Sequence, residues 1–174
     1  AVGPQPTRLV VHKTTPFRDE EVDGCRDALS AVGDLELLTI TQDSPWLGIR
    51  IDQPSSGAQK GVPAKYPVER GTILTVGHYD YALWTQGNAS GIGSGSYFKE
   101  GKGIPHPLIV TRHLGSGGVH ASGREILGLT KMNWNNDALY DRLPVTLTYA
   151  STLARIVKRM GTLNSTPYDF RFFM

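Results

Sequence analysis

Leu9, Val10 and Val11 form a short apolar run that suits a buried strand, and the chain then turns polar at His12, Lys13, Thr14 and Thr15. Thr15-Pro16 reads as the N-cap and first position of a helix. Val22, Cys25, Leu29 and Val32 recur at helical spacing until Gly33. Residues 34–41 (DLELLTIT) predict a strand, and 45–52 (PWLGIRID) a second one beside it, as a hairpin or a neighbouring pair. Residues 53–71 are a loop rich in Pro, Gly and Ser, after which 72–87 resume β-type residues at Ile73, Tyr79, Tyr81, Leu83 and Trp84. A longer glycine-rich loop over 88–107 precedes a strand at 107–114. Ser122 and Glu125 fit a Ser-x-x-Glu capping box for a helix over 123–133. Leu143-Pro144 opens the last helix, with a stripe of Leu147, Ala150, Leu153, Ala154, Val157 and Met160 and Gly161 at its end. Residues 168–174 (YDFRFFM) close the chain as a terminal strand or an anchored tail. Strands interleaved with helices, without internal repeat, predict one α/β domain.

Composition changes this picture little. At 174 residues, 39% of them hydrophobic, the chain suits a single core. A net charge of +2 neither demands nor excludes nucleic acid, because a basic groove can sit within a modest total. The one cysteine, Cys25, rules out an internal disulfide and points to a reducing, cytoplasmic compartment. No apolar run approaches the roughly 20 residues of a membrane span, and none has the shape of a signal peptide. The opening Ala-Val-Gly-Pro, without Met, suggests a fragment or a processed piece.

Few motifs carry chemistry. The segment GIGSG (91–95) lacks the lysine-serine ending of a phosphate loop and the strand-loop-helix setting of a dinucleotide fingerprint, so it reads as a flexible loop. The five histidines (12, 78, 106, 113 and 120) include no i, i+4 pair on one helix, which disfavours zinc. No nucleophile elbow stands between a strand and a helix. Residues 129–144 (LTKMNWNNDALYDRLP) are more suggestive, gathering Lys131, Asn133, Trp134, Asn135, Asn136 and Arg142 between two helices. Cations and amide donors of this kind suit phosphate oxygens. The plainer reading is a polar turn with Trp134 packed in the core. Arg155, Lys158 and Arg159 on the last helix read as a solvated face.

Several segments in order resemble the C-terminal part of a PIWI domain of prokaryotic Argonautes: 6–15 (PTRLVVHKTT), 70–77 (RGTILTVG), 79–87 (YDYALWTQG), 105–110 (PHPLIV), 125–136 (EILGLTKMNWNN), 143–157 (LPVTLTYASTLARIV) and the tail 168–174. The segment LTKMNWN and the short aromatic tail resemble the short or slicing-deficient kinds in particular. The resemblance implies an α/β, RNase H-like fold, here a single incomplete domain over residues 1–174 whose opening strands are missing. It also implies a groove holding a guide strand paired to a target.

A slicing member of that family holds two divalent ions with carboxylates. Two of those positions align with Thr14 and Ser151, where neutral hydroxyls stand and hard cations want carboxylate oxygens. His12 and Lys13 are expected to add positive charge beside Thr14. The expectation is a guide-binding module that does not cleave, with effector chemistry left to a partner or fused domain. Lys131, Asn133, Asn135 and Arg142 are the candidate backbone contacts. The C-terminal carboxylate of Met174 is the candidate ligand of a Mg²⁺ or Mn²⁺ ion shared with the guide 5′-phosphate. Two rivals stand beside this reading: an active metal-dependent nuclease using Asp19, Asp80 or Asp137, and an unrelated α/β scaffold.

Overall fold

The first apolar run lies in strand β1 (Arg8–Lys13), which helix α1 (Asp19–Ala28) connects to the parallel strand β2 (Asp34–Thr41). These bounds come from a computed structural model that describes residues 6–53, 60–92, 95–97, 103–135 and 138–160. After β2 come two short strands, β3 (Ile51–Asp52) and β4 (Val62–Pro63), which pair only with each other. Strands β5 (Ile73–Thr75) and β6 (Asp80–Leu83) form a hairpin, and β7 (Ala89–Ile92) and β8 (Gly95–Tyr97) form another. Strand β9 (Leu108–Leu114) precedes helices α2 (Val119–Leu129) and α3 (Val145–Met160).

The main sheet has the order β1-β2-β9-β6-β5. Strand β9 runs antiparallel to both β2 and β6, so β1, β2 and β6 share one direction. On one face Leu38, Ile40, Tyr81, Leu83, Leu108 and Val110 are buried against Ile126 of α2 and Leu147 of α3. Because strand side chains alternate between faces, Leu37 and Thr39 lie on the other side, and they too are buried. A strand enclosed on both faces and paired on both edges is the middle of the domain. That strand is β2.

Several elements differ from the sequence pattern, each for a tertiary reason. Residues 45–50 are not a strand and do not pair with β2, because β1 and β9 already occupy both its edges. Helix α1 starts at Asp19 rather than Pro16. The carbonyls of Thr15 and Pro16 are taken by Thr39 Oγ1 (3.2 Å) and Lys13 Nζ (3.3 Å), and Glu21 instead caps the Arg18 backbone N–H at 2.8 Å. Helix α2 starts at Val119, with Gly118 as its N-cap, so Ser122 is inside it. The Ser122 hydroxyl meets the Tyr81 phenol at 2.9 Å and Glu125 meets Arg8 at 2.7 Å, so long-range partners take both halves of the expected capping box. Of the segment 91–95, Gly91 and Ile92 belong to β7 and Gly95 to β8, with Gly91 at a φ of 78° where the register shifts. The tail 168–174 lies outside the described residues.

A buried charge cluster ties the layers together. Glu36, on β2, is 1% exposed and accepts hydrogen bonds from Arg112 Nε of β9 (2.7 Å) and Arg8 Nη2 of β1 (2.9 Å). Arg8 also reaches Asp34 and Glu125, while Arg112 Nη2 donates to Ser122 Oγ at 3.2 Å. The Tyr81 phenol beside them is pushed up to about 12, mainly by burial, and stays neutral. Gly115 closes this end of the cluster. It has a φ of 108°, and a Cβ there would stand 2.9 Å from Glu36 Cγ. Helix α3 docks on β1 through His12 Nδ1 and Thr146 Oγ1, 2.9 Å apart.

Two stability predictions follow from these contacts. Glu36→Ala leaves two guanidinium groups facing an empty site, and should lower stability by about 3–5 kcal/mol, read from urea unfolding. Burial holds the His12 imidazole below its ordinary value of 6.5, against the upward pull of Glu125 and Glu36. The unfolded chain therefore binds this proton more readily. Stability should be retained above about pH 6.5 and fall as pH drops below it, and His12→Gln should flatten the profile between about pH 7 and 5.

Candidate nucleic-acid interface

Because β1, β2 and β6 run together, their carboxyl ends meet at one end of the sheet, together with the amino ends of β5 and β9. Ligands of open α/β sheets commonly bind outside strand carboxyl ends, where loops rather than ladder positions supply the side chains. Thr14 directly follows β1 at this end and is exposed. The end of α2 arrives here too, because Arg70, next to β5, donates from Nη2 to Leu127 O (3.0 Å) and Thr130 Oγ1 (2.6 Å). A cation on the last carbonyls of a helix suits the negative end of its dipole. The Arg70 guanidinium also lies 4.5 Å from the centre of the Tyr140 ring, whose hydroxyl donates to Gly87 O.

The connection between α2 and α3 is thus pinned at several points. Asp141 N–H donates to Thr130 O (2.8 Å), and Thr85 Oγ1 donates to Arg142 O (2.7 Å). Asn133 Nδ2 donates to Asp141 Oδ2 (2.7 Å), while its Oδ1 accepts the backbone N–H of Asn135 (3.2 Å). Asn135 Nδ2 reaches Tyr149 Oη at 3.4 Å. Both asparagines therefore shape the turn. Lys131 is exposed beside them. Arg142 donates from Nη2 to Gln42 O at 2.9 Å, and its buried Nε has no partner among the described residues. It borders an open recess of about 460 Å³ shared with Gln42, Asp43, Ser44, Pro45 and His106. Trp134 departs most from expectation: it is 80% exposed, outside the core.

Around Thr14 the charges are already engaged. Lys13 Nζ holds both carboxylate oxygens of Glu21 at 2.6 Å and lies 5.2 Å from the centre of the Phe17 ring. That contact and the Arg18 backbone N–H hold the Glu21 carboxyl below its usual range. His12 is kept toward its neutral form by burial. The expected positive charge beside Thr14 is therefore largely cancelled. His113 Nε2 meets Thr39 Oγ1 at 2.9 Å, joining β9 to the same corner.

Ser151 lies exposed on α3, beyond the Thr146 contact. Neither Thr14 nor Ser151 offers a carboxylate, so these two positions do not fit a Mg²⁺ pair. Among the described residues no three His, Cys, Asp or Glu side chains gather as a metal group. Asp19 opens α1 at this end of the sheet. Asp80 opens β6 at the other, where Oδ1 accepts from Thr111 Oγ1 at 2.6 Å. Asp137, Asn136 and Met174 lie outside the described residues.

Sequence reasoning missed Arg70 and His106, which no local motif marks, and Glu36, hidden in an ordinary strand pattern. No helix among the described residues is long and apolar enough to cross a membrane.

No protein-family model matches the chain, and no curated protein matches it. Solved structures do. Aquifex aeolicus Argonaute with externally bound siRNA is similar at a TM-score of 0.63 and 20% identity, over 96% of this chain and 20% of that one. A second Aquifex aeolicus Argonaute structure gives a TM-score of 0.57 at 19% identity, over 95% of this chain and 20% of that one. Clostridium butyricum Argonaute bound to a guide DNA and a 19-mer target DNA gives 0.59 at 18% identity, over 90% and 18%. The chain spans about a fifth of the length of these neighbours. Its fold is that of one portion of a prokaryotic Argonaute.

Proposed function

We propose that the chain is the C-terminal portion of an RNase H-like PIWI domain, and that its sheet end holds guide and target nucleic acid without cutting it. The observation that supports the second part is the pair of exposed hydroxyls, Thr14 and Ser151, at positions that the sequence resemblance aligns with a slicer's carboxylates. Fold likeness over nearly the whole chain supports the first part, one of those neighbours being bound to guide and target DNA. The rival acids give little support to an alternative metal centre, since Asp19 and Asp80 stand at opposite ends of the sheet.

In this reading base pairing supplies sequence recognition, and the protein contacts backbone and shape. Lys131 and the outer guanidinium of Arg142 supply phosphate contacts. Asn133 and Asn135 hold the turn that presents them. Any cleavage or other effector chemistry belongs to a partner or a further domain. A divalent ion between the guide 5′-phosphate and the Met174 carboxylate would be held in part by a residue outside those described.

The full-length protein, loaded with guide and given Mg²⁺ or Mn²⁺, should bind a complementary target and leave it whole. Thr14→Asp alone should not create cleavage, because Ser151 still offers no carboxylate. Chelator-sensitive cutting opposite the guide in the unaltered protein would refute the reading. For the backbone contacts, Lys131→Ala should weaken all guide sequences alike and reduce the salt slope by about one unit or slightly less. Unchanged affinity and slope in Lys131→Ala combined with Arg142→Ala would reduce the segment to a polar turn.

A further inference from the structure

Three tryptophans are treated very differently by the fold. Trp84 is buried and donates its indole N–H to Pro105 O at 3.0 Å, and Trp46 is about half exposed at 46%. Trp134 stands 80% exposed. Tryptophan is among the most strongly buried residue types on average, so a nearly bare indole is a feature to be explained. It does not sit on a loosely held loop. Asn133 is bonded to Asp141, the Asn135 backbone is bonded to Asn133, and Asn135 reaches Tyr149, so both neighbours of Trp134 are fastened to the framework. Folding thus fixes the backbone while leaving the ring outside.

We infer that Trp134 is a stacking platform for an unpaired or terminal base of the bound strand. This deepens the nucleic-acid reading above and rests on it. An aromatic face on a fixed backbone offers π-stacking to any base at little entropic cost. Met132 and Leu139 are exposed in the same segment, and the cations there favour a nucleic acid over an apolar protein surface. Lys131 is exposed three residues before the ring, and Arg142 borders the recess at the same sheet end. Asn133 and Asn135, whose side chains are engaged internally, have the different task of aiming the ring. A base on the indole with its phosphate toward Lys131 uses the aromatic and the cation together.

The test uses the full-length protein and 5′-phosphorylated single-stranded guides of DNA and RNA, intact or carrying one abasic sugar walked along the strand. In the unaltered protein, one abasic position should weaken binding by about 5- to 100-fold. Trp134→Ala should weaken the intact guide by a similar factor, and the abasic guide at that position no further. Trp134→Phe should keep most of the affinity. The urea midpoint of Trp134→Ala should match the unaltered protein, which separates stacking from folding; a clearly lowered midpoint would place the ring against the rest of the protein and overturn the inference. Equal affinity of Trp134→Ala for every guide would overturn the inference and leave the ring as a protein-facing or plain surface residue. Persistence of the abasic penalty in Trp134→Ala would also overturn it, since the base would then be held elsewhere. Failure of the unaltered protein to bind any guide would remove the underlying reading itself.

Discussion

A carboxylate with almost no access to water must be matched by opposite charge and hydrogen bonds, or the fold that buries it is not stable. Glu36 meets that condition with Arg8 and Arg112. The two cations come from the strands on either side of β2, so the charge condition also specifies which strands flank it. Through Glu125 and Ser122 the same cluster reaches α2 and orients it over Tyr81. Apolar packing alone would tolerate a slipped strand far better than this set of ion pairs does. Gly115 shows how closely the backbone turns around the group, since any side chain there would press on it.

The two ends of the sheet consequently differ in character. One is closed by internal ion pairs. The other is built of short connections whose carbonyls and hydroxyls hold one another: Lys13 on Pro16, Thr39 on Thr15, Arg70 on the end of α2, Arg142 on Gln42. The second end keeps cations and one aromatic face toward solvent while its backbone is held. Such a division suits a binding surface on a rigid support, where the bound molecule meets side chains already in place.

The elements legible in the sequence are those specified by neighbouring residues. Strand β2 is a short run rich in apolar and β-branched residues, buried on both faces, and Pro144 accepts the first backbone bonds of α3, so both lie where the pattern puts them. Misplaced features depend on distant residues. Ser122 and Glu125 have the spacing of a local cap, yet Tyr81 and Arg8 claim them across the fold. Residues 45–50 carry β-type side chains, but β1 and β9 already take both edges of β2, the strand they would have joined. At the candidate site, Lys131 and Arg142 were visible as cations near a helix break. The internal duty of Asn133 and the exposure of Trp134 were not, because each depends on where Asp141 and the helix ends finish in space.

The position of β9 has a consequence for the order in which the molecule can assemble. One long edge of β2 stays unpaired until residues 108–114 have been made, and residues 42–107 come in between. At about 5–20 residues per second, the nascent chain carries that edge, with Glu36 held by Arg8 but still lacking Arg112, for several seconds. Loop closure over so long a segment is entropically costly, and contacts this distant in sequence slow the final step. During the interval the bare strand is a template for other chains. An ion pair at that edge, not yet closed over by Arg112, opposes burial of the strand in an apolar aggregate, so the residue that locks the finished sheet also guards its unfinished form.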